Sequence, residues 1–245
     1  MVGPVPEDGE PRLRVVSYNI ASWRGDAAAL TATIRGLAPD VLALQEVLSW
    51  PDPRTWFIDL AARFGMAHAF GGLSACGNAV LISAAVTVHR WQALRYPVTW
   101  RDGPRAAVLV RCSIAGVTFV AAGSHLSTDA ALRLRQAAIL KNALNAAGAP
   151  VIVGMDVNET SNGLAWRTVG RGLVDAAEET GQSGIPTFST SNPTRRIDAI
   201  FVDPSLPVQS YQVPDTRRPV SPATTSRCRP TWRPRGRRTV PVRRS

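Results

Sequence analysis

Polar side chains that can bind metal ions or transfer protons follow several apolar runs in this sequence. They are carboxylates, carboxamides, a histidine and an arginine, namely Asn19, Glu46, Asn78, His125, Asp156, Asn158, Arg196 and Asp198. Oxygen donors of this kind suit Mg²⁺ or Mn²⁺, whereas a zinc site would require clustered histidine and cysteine. The residue types therefore favour chemistry at a Mg²⁺ or Mn²⁺ ion over zinc chemistry.

Taken singly, each of these residues also has a structural explanation. An asparagine after a strand is usually a turn residue, and a carboxylate there commonly caps a helix or faces solvent. His68 and His89 lack a motif context, so we interpret both as structural. Cys76, Cys112 and Cys228 lack the paired spacing of a zinc site or of disulfides, and we assign them no chemistry. A functional interpretation therefore depends on the whole set and its order.

The elements that must position these residues begin as alternating strands and helices. Residues 13–20 (LRVVSYNI) and 40–47 (DVLALQEV) are predicted strands around a helix capped by Asp26, which makes a βαβ-like unit. A second helix is predicted at residues 54–65 (RTWFIDLAARFG), with Gly65 ending it.

Strands dominate the rest of the pattern. Four consecutive strands without an intervening helix are expected to pair antiparallel, at residues 78–83, 86–96, 106–114 and 117–126. A third helix capped by Asp129 precedes a buried strand, and the later strands are predicted at residues 150–158, 196–203 and 208–213. Many strands with helices inserted at intervals indicate two sheets packed face to face with helices outside.

The chain of 245 residues has a net charge of +10, and this charge is confined to the C-terminal segment. Residues 217–245 hold ten of the 28 basic residues and none of the 18 acidic residues, so residues 1–216 are neutral. We expect a flexible N-terminus at residues 1–12, a single domain at residues 13–216 and a disordered Arg/Pro-rich tail at residues 217–245.

Composition also bears on location. No apolar run reaches the roughly 18 residues that a membrane helix needs. The opening MVGPVPEDGEPRLR carries prolines and acids in place of the basic and apolar parts of a secretory signal. We therefore expect a cytoplasmic protein without a membrane span, and a monomer.

Six sequence blocks, in this order, resemble one known family. The blocks VVSYNI, PDVLALQEV, GNAVLIS, GSHLSTDAALRLRQ, VIVGMDVNET and RRIDAIFVD are similar to the motif series of the endonuclease/exonuclease/phosphatase superfamily, the metal-dependent phosphoesterases that include DNase I-like nucleases. The resemblance runs from about Leu13 to Val213. It implies a four-layer α/β/β/α sandwich, with the site at one end of the two sheets.

The resemblance also implies roles for particular residues. Glu46 would be the principal ligand of Mg²⁺ or Mn²⁺, with Asn19 beside it, while His125 would donate a hydrogen bond to a phosphate oxygen. Asp156 would orient or activate the attacking water, and Asn158 would hold the phosphate. The resemblance further implies that Asp198 positions a second histidine that acts as general base.

Two further residues are candidates for substrate binding. Asn78 opens a predicted strand and Arg105 precedes another. A turn residue and a surface charge are equally good explanations of them.

The second histidine is absent, although the family carries it in a Ser-Asp-His motif followed by Pro. The histidines of this chain are His68, His89 and His125. Because Lys141 is the one lysine beside 27 arginines, we infer a GC-rich gene. Back-translation from Ala223, with each codon started on the last base of the previous one, gives Asp-His-Gln-Pro-(Val/Leu)-Pro-Ala-Asp-Leu. A frameshift therefore explains the missing histidine, the missing last strand and the arginine-rich tail, and predicts an impaired enzyme.

Two classes of function remain open from sequence alone. The first is hydrolysis of a phosphoester, where the substrate is a small molecule, a lipid head group or a nucleic acid. A neutral domain argues mildly against tight duplex binding, and leaves phosphatase, phosphodiesterase and nuclease activities equally open. The second is a non-catalytic protein that binds nucleic acid or another polyanion through its basic tail.

Overall fold

Two β-sheets form the centre of the molecule in the computed structural model, which describes residues 12–48, 57, 59–99, 103–189 and 192–214. The first sheet has four strands in the order β1-β2-β4-β3. They are β1 (Val15–Asn19), β2 (Val41–Gln45), β3 (His68–Gly72) and β4 (Asn78–Ile82). Strands β1 and β2 are parallel and are connected through helix α1 (Ala27–Leu37), which confirms the predicted βαβ unit.

The second sheet has six strands in the order β5-β6-β7-β8-β10-β9. They are β5 (Thr87–Arg95), β6 (Ala106–Ile114), β7 (Val117–His125), β8 (Val151–Asp156), β9 (Val174–Asp175) and β10 (Asp198–Val202). Strands β5, β6 and β7 pair antiparallel as predicted, and β7 and β8 are parallel.

Helices cover the outer faces of both sheets. Helix α1 and helix α2 (Leu60–Phe64) pack on the first sheet, with Ile34, Leu42 and Phe64 in one cluster. The second sheet is covered by α3 (Ala130–Asn145) and α4 (Leu164–Gly170), and α5 (Ala176–Glu179) follows β9. This arrangement confirms the predicted four-layer α/β/β/α sandwich.

The inner faces of the sheets form a third apolar cluster, in which Val80 and Val108 are fully buried. The sheets approach each other closely at two glycines. A Cβ atom on Gly154 would lie 2.9 Å from the Cβ atoms of Ala43 and Ser17, and one on Gly123 would lie 3.0 Å from Val80. Glycine at these positions therefore lets the two sheets meet behind the strand ends that carry the polar residues.

Local sequence signals set the helix ends. The Asp26 carboxylate accepts hydrogen bonds from the Ala28 and Ala29 N–H groups at 2.9 Å, and the Asp129 carboxylate accepts one from Leu132 at 2.8 Å. Both aspartates are the predicted N-caps. Gly65 has a φ of 72°, which ends α2 where the sequence predicted.

Several sequence expectations were wrong. Strand β4 pairs with β2 and β3, not with β5, because a short turn after β4 carries the chain to the other sheet. Strand β3 and helices α4 and α5 were not predicted. Residues 208–213 form no strand, although Tyr211 is buried in the inner cluster. The predicted tail at residues 217–245 and almost all of the predicted N-terminal segment lie outside the described residues.

In the described ranges, α3 is the longest helix at 16 residues, and no helix there is long and apolar enough to span a bilayer.

A buried ion pair joins β9 to the start of β10. Arg196 donates to both carboxylate oxygens of Asp175, at 3.1 and 2.9 Å, and its guanidinium lies 4.6 Å from the ring centroid of Trp166. We expect Arg196→Met to lower the free energy of unfolding by about 3–5 kcal/mol, because it leaves the Asp175 carboxylate buried without its cation. Urea denaturation measures the change. The exposed neighbour Arg195→Met is the control, and equal losses in both variants would contradict the prediction.

Candidate active site

Polar residues from both sheets meet at one end of the sandwich. Parallel strands β1 and β2 end together, and so do β7 and β8. Strand β10 runs antiparallel to β8, so its first residue lies where β8 ends. In this register Asp156 is paired with His125 on one side and with Asp198 on the other. The topology therefore brings together residues that are up to 179 positions apart in the chain.

Glu46 leaves β2 in a left-handed backbone conformation with a φ of 54°. Non-glycine residues rarely adopt this conformation, and it is concentrated at functional sites. The Glu46 carbonyl accepts a hydrogen bond from the Ser22 N–H group at 3.0 Å, which holds the turn. The Glu46 side chain retains 34% exposure, whereas that of Asp156 retains 6%. Glu46 is thus a carboxylate that solvent and solutes can reach.

Asn19 connects the two sheets at the site. Its Nδ2 donates to Glu46 Oε1 and to Asp156 Oδ2, each at 3.0 Å. Its Oδ1 accepts from the Ala21 N–H group at 2.9 Å, which fixes the orientation of the amide. Asn19 therefore presents its nitrogen to the carboxylates and orients Glu46 beside Asp156. The role of Asn19 as a metal ligand beside Glu46 stays a prediction.

His125 lies at the centre of the cluster and is almost fully buried. Its Nε2 is 3.5 Å from Asp156 Oδ2, and its Nδ1 is 3.9 Å from Glu46 Oε1. The Arg105 guanidinium lies 2.7 Å from Nδ1 and 3.2 Å from Nε2. Because arginine has only donors and a neutral imidazole accepts at one nitrogen, Nδ1, the nearer of the two, is the acceptor of the Arg105 hydrogen bond. The imidazole is therefore held between carboxylates and a guanidinium.

Arg105 carries an unused hydrogen-bond donor. Its Nε is buried and has no hydrogen-bond partner. A buried donor without a partner among the described residues is uncommon. The structure thus brings Arg105 into the site, where a guanidinium can pair with a phosphate oxygen.

Asn158 follows β8 in a left-handed conformation with a φ of 55°, which asparagine tolerates better than most residues. Its N–H donates to Asp156 Oδ1 at 2.9 Å, and its side-chain Nδ2 donates to the Leu126 carbonyl at 2.9 Å. The same Nδ2 lies 2.9 Å from His125 Nε2. Asn158 therefore holds the ends of β7 and β8 together beside the histidine.

Asn78 lies behind the cluster and has 1% exposure. Its Nδ2 donates to the carbonyls of Ala75 and Ala106, at 3.0 and 3.2 Å. Since Ala106 follows Arg105 in the chain, Asn78 fixes the start of β6 next to that arginine. Asn78 thus positions the start of β6 beside Arg105, and its contact with substrate stays a prediction.

Two carboxylates at paired positions of β8 and β10 have raised pKa values. Burial raises the pKa of Asp156, against the hydrogen bonds from Asn19 and Asn158. Burial, and then the charge of Asp156, raise the pKa of Asp198 to about 7, against a hydrogen bond from Thr187. None of the ion pairs between described residues includes Asp198. Asp198 therefore adds a carboxylate beside Asp156 that has no ion-pair partner among the described residues.

The raised pKa of Asp198 gives a pH-dependent stability. The neutral carboxyl favours folding, so its contribution is complete below about pH 4 and is lost as the pH rises through about 7. We expect Asp198→Asn to match the parent protein near pH 4 and to melt several degrees higher near pH 8, in EDTA. Thermal denaturation measures this. The exposed Asp59→Asn is the control, and a pH-independent difference for Asp198→Asn would contradict the prediction.

The donor set suits a hard divalent cation. Mg²⁺ is usually held by one or two carboxylates, with water and substrate oxygens completing its shell. Glu46 and Asp156 supply such carboxylates, joined by the Asn19 amide. Among the residues that the structure describes, no group of three or more His, Cys, Asp or Glu side chains could hold a metal ion by itself. An ion held by Glu46 and Asp156 would need oxygens of water and substrate to complete its shell.

One residue at the site was not predicted from sequence. The Thr187 hydroxyl accepts hydrogen bonds from the N–H groups of Ile197 and Asp198, at 3.1 and 3.3 Å, and also bonds the Asp198 side chain. Thr187 lies in a loop with no motif, so the sequence offers no signal that links it to Asp198.

Comparison with known families decides where the chain belongs. A profile of the Endonuclease/Exonuclease/phosphatase family matches residues 16–231, which is most of the chain. The chain belongs to the endonuclease/exonuclease/phosphatase family. This assignment confirms the resemblance found in the sequence and places the chain among phosphoester hydrolases. No curated protein matches the sequence.

Solved structures of endonuclease/exonuclease/phosphatase proteins share the fold. Truncated TDP2 from Caenorhabditis elegans is 19% identical, with 80% of this chain and 85% of that chain covered and a TM-score of 0.65. The mannosyl-6-phosphatase Bt3783 of Bacteroides thetaiotaomicron is 19% identical, with 80% and 87% covered and a TM-score of 0.67. A family protein from Bacteroides vulgatus is 18% identical, with 82% and 90% covered and a TM-score of 0.69. At these identities the likeness concerns the fold alone.

Proposed function

We propose that this chain is a divalent-metal-dependent phosphoesterase whose activity is impaired by the loss of its last catalytic motif. The observation that carries the proposal is the convergence of Glu46, His125, Asp156 and Asp198, from four different strands, at one end of the sandwich. Arg105 adds a cation with an unused donor at the same place. Such a cluster combines ligands for a metal with donors for an anionic substrate.

Each residue has a separate task in the proposed reaction. Glu46 holds Mg²⁺ or Mn²⁺, which when bound supplies Lewis-acid stabilisation of a phosphoryl oxygen. Arg105 pairs with a second phosphoryl oxygen, and His125 and Asn158 lie where they can contact the same group. Asp156 orients the attacking water. Asp198 would stabilise a protonated general base, for which this chain supplies no histidine beyond His125 in its site.

The absence of that base sets the expected activity. General-base assistance contributes roughly 10²–10⁴-fold to the rate of such reactions. The remaining groups still bind and polarise the phosphoester, so slow hydrolysis persists. We therefore propose a weak activity in this chain, on a scaffold that keeps the other clustered residues.

The charge distribution bears on the substrate. Residues 1–216 are neutral, whereas tight binding of duplex nucleic acid needs basic side chains on the folded surface. A small molecule or a lipid head group that carries a phosphoester satisfies the site without such a surface. A single-stranded or terminal phosphodiester is the nucleic-acid alternative.

An assay with a chromogenic aryl phosphodiester tests the proposed function. We expect slow hydrolysis that EDTA abolishes and that Mg²⁺ or Mn²⁺ restores, because the proposed reaction needs the cation at Glu46. Separate additions of Ca²⁺ and of Zn²⁺ serve as controls for the type of ion. Hydrolysis that is insensitive to EDTA would contradict the proposed function.

A second candidate function uses the ten arginines of residues 217–245, a charge density typical of segments that bind polyanions. Deletion of residues 217–245 distinguishes the two candidate functions. Loss of salt-sensitive nucleic-acid binding without any change in metal-dependent hydrolysis would favour polyanion binding by this segment. Unchanged nucleic-acid binding would contradict it.

A further inference from the structure

Two loops meet beside His125 and Asn158. The first loop follows β7, whose last residue is His125, and the second follows β8 and contains Asn158. Asn158 Nδ2 lies 2.9 Å from His125 Nε2 and donates to the Leu126 carbonyl at the same distance. Because neither loop is a helix or a strand, contacts from elsewhere in the fold are needed to keep these two side chains together.

Arg133 of α3 binds the first loop. Its side chain has 10% exposure, and its Nη1 donates to the carbonyls of Ser127 and Thr128, at 3.1 and 2.9 Å. Gln136 lies one turn later on the same face of α3, and its Oε1 accepts from the Ser127 N–H group at 2.8 Å. Helix α3 therefore fixes the loop after β7 through two carbonyls and one N–H group.

The same guanidinium reaches the second loop. Arg133 Nη2 lies 3.6 Å from Oε1 of Glu159, which directly follows Asn158 in the chain. The other carboxylate oxygen of Glu159 accepts from the N–H groups of Ala165 and Trp166, at 2.7 and 3.1 Å. Glu159 thus connects the loop after β8 to the start of α4 and, through Arg133, to the loop after β7.

Gly163 makes room for the Glu159 carboxylate. A Cβ atom at Gly163 would overlap the Glu159 side chain, so any larger residue there would displace it. The Glu159 side chain keeps 19% exposure, so its charge is largely removed from water beside the buried guanidinium. Loss of one member of such a pair leaves the other charge without compensation. The local packing is therefore built around this ion pair.

Asn158 depends on support from its neighbours because its backbone is left-handed, with a φ of 55°. A non-glycine residue keeps this conformation when surrounding contacts impose it. On one side the Asn158 N–H donates to Asp156 Oδ1 at 2.9 Å, and on the other side Glu159 is held by Arg133. The direction of the Asn158 side chain toward His125 therefore depends on the place of Glu159.

We propose that Arg133 and Glu159 are positioning residues, whose ion pair holds Asn158 against His125 so that both side chains face the same phosphoryl group. This inference rests on the proposed function, in which those two side chains contact that group. In the described chain, the hydrogen bonds and ion pairs of Arg133 and Glu159 include none of the clustered residues. The pair therefore acts through the two loops.

A purely structural role of the ion pair would have a different consequence. If the pair only stabilises the fold, its loss lowers the fraction of folded molecules and with it the maximal rate. The affinity of each folded molecule for phosphate then stays the same. If the pair positions Asn158, the folded molecules themselves bind phosphate more weakly. The affinity for inorganic phosphate in the presence of Mg²⁺ therefore distinguishes the two roles.

The test uses Glu159→Gln in the full chain, because the amide keeps an oxygen for the start of α4 and removes the charge beside Arg133. Phosphorus NMR titration with inorganic phosphate and Mg²⁺, well below the Tm, measures the Kd. We expect this Kd to rise by roughly tenfold or more, as for the loss of a hydrogen bond to a charged group. The kcat/KM for an aryl phosphodiester should fall by roughly 10–10²-fold.

The Mg²⁺ midpoint of hydrolysis should stay unchanged in Glu159→Gln, because Glu46 is held by Asn19 and Ser22 on the other sheet. Equal weakening of Mg²⁺ and phosphate would indicate general disruption of the site and would overturn the positioning role.

Two further variants test the pair as a unit. Arg133→Met should raise the phosphate Kd as Glu159→Gln does, and the double variant should bind no more weakly than the weaker single variant, because either change breaks the same ion pair. Arg135→Met is the matched control, since Arg135 is exposed on α3 and is in none of the ion pairs between described residues. Additive losses, or an unchanged phosphate Kd in folded Glu159→Gln, would overturn the proposal.

The side-chain amide of Asn158 gives a measurement that does not depend on phosphate or on hydrolysis. In protein with isotope-labelled asparagine, its NMR signal is identified by its loss in Asn158→Asp. We expect its protons to exchange faster with solvent in Glu159→Gln and at the parent rate in Arg135→Met. Faster exchange, in a parent protein that neither binds phosphate nor hydrolyses the diester, would overturn the proposed function but support the hold on Asn158. Unchanged exchange would overturn that hold.

Discussion

Restoring the reading frame after codon 223 is expected to raise the kcat/KM for phosphodiester hydrolysis by roughly 10³-fold. The restored chain gains a histidine in the segment that follows the described domain, and none of the ion pairs between described residues includes Asp198, whose pKa is raised by burial. An imidazole there acts as general base, and Asp198 stabilises its charged form. Steady-state assays of both proteins at saturating Mg²⁺ measure the ratio.

A matched variant shows whether the histidine itself is responsible for the gain. Alanine in place of the new histidine should retain the gain in thermal stability that the added strand provides, and should return kcat/KM to the level of the present chain. Equal rates for the present and restored chains would contradict the explanation of the missing histidine. Resequencing the gene around codons 210–225 tests the frameshift independently.

Glu46→Gln in the restored chain is expected to lower kcat/KM by at least about 10²-fold. Lewis-acid stabilisation by a bound cation contributes several kcal/mol to such reactions, and Glu46 is the exposed carboxylate of the cluster. The amide keeps the size of the side chain and one oxygen, so the fold should persist. Hydrolysis measured against Mg²⁺ concentration should show a higher midpoint as well as a lower maximum.

Glu178→Gln is the control for this substitution, because Glu178 is exposed on α5 and touches none of the clustered residues. Its hydrolysis rate should equal that of the parent. A Glu46→Gln protein with full activity and an unchanged Mg²⁺ midpoint would contradict the assignment of Glu46 as the metal ligand.

The positions of the clustered residues could be predicted because each follows a strand with a strong sequence signal. VVSYN, VLALQ and VIVGMD are continuous apolar runs that end in polar residues. Parallel strands bring such ends together, and the resemblance of the blocks to the family implied a site at one end of the two sheets. The helix caps Asp26 and Asp129 were predictable for a similar reason, since capping is a local interaction.

Strand β3 could not be predicted, because its own sequence is not typical of a strand and it forms by pairing with β4. The sequence HAFGG contains two glycines, which weaken a strand, and the strand forms by pairing with the fully buried β4. For the same reason the sheet in which β4 lies could not be predicted. The four residues between β4 and β5 fit a hairpin as well as a crossing between sheets.

The roles of individual residues at the site depend on contacts that no recognisable spacing in the sequence predicts. The orientation of the Asn19 amide is set by the Ala21 N–H, and the burial of Asn78 is set by the carbonyl of Ala106. The Thr187 hydroxyl accepts a hydrogen bond from Asp198, which lies eleven positions later in the chain, after a loop closed by a β-bridge. Such contacts arise from tertiary packing, so the residues of the site could be predicted but their separate roles could not.

The central claim is that these side chains form one site for a divalent cation, and diffraction from crystals soaked in Mn²⁺ tests it most directly. Data collected at the manganese edge locate the ion independently of activity and of the reading frame. We predict an anomalous peak at coordination distance from the Glu46 carboxylate, lost in Glu46→Gln crystals. A peak elsewhere on the protein, with none beside Glu46 at saturating Mn²⁺, would contradict the account.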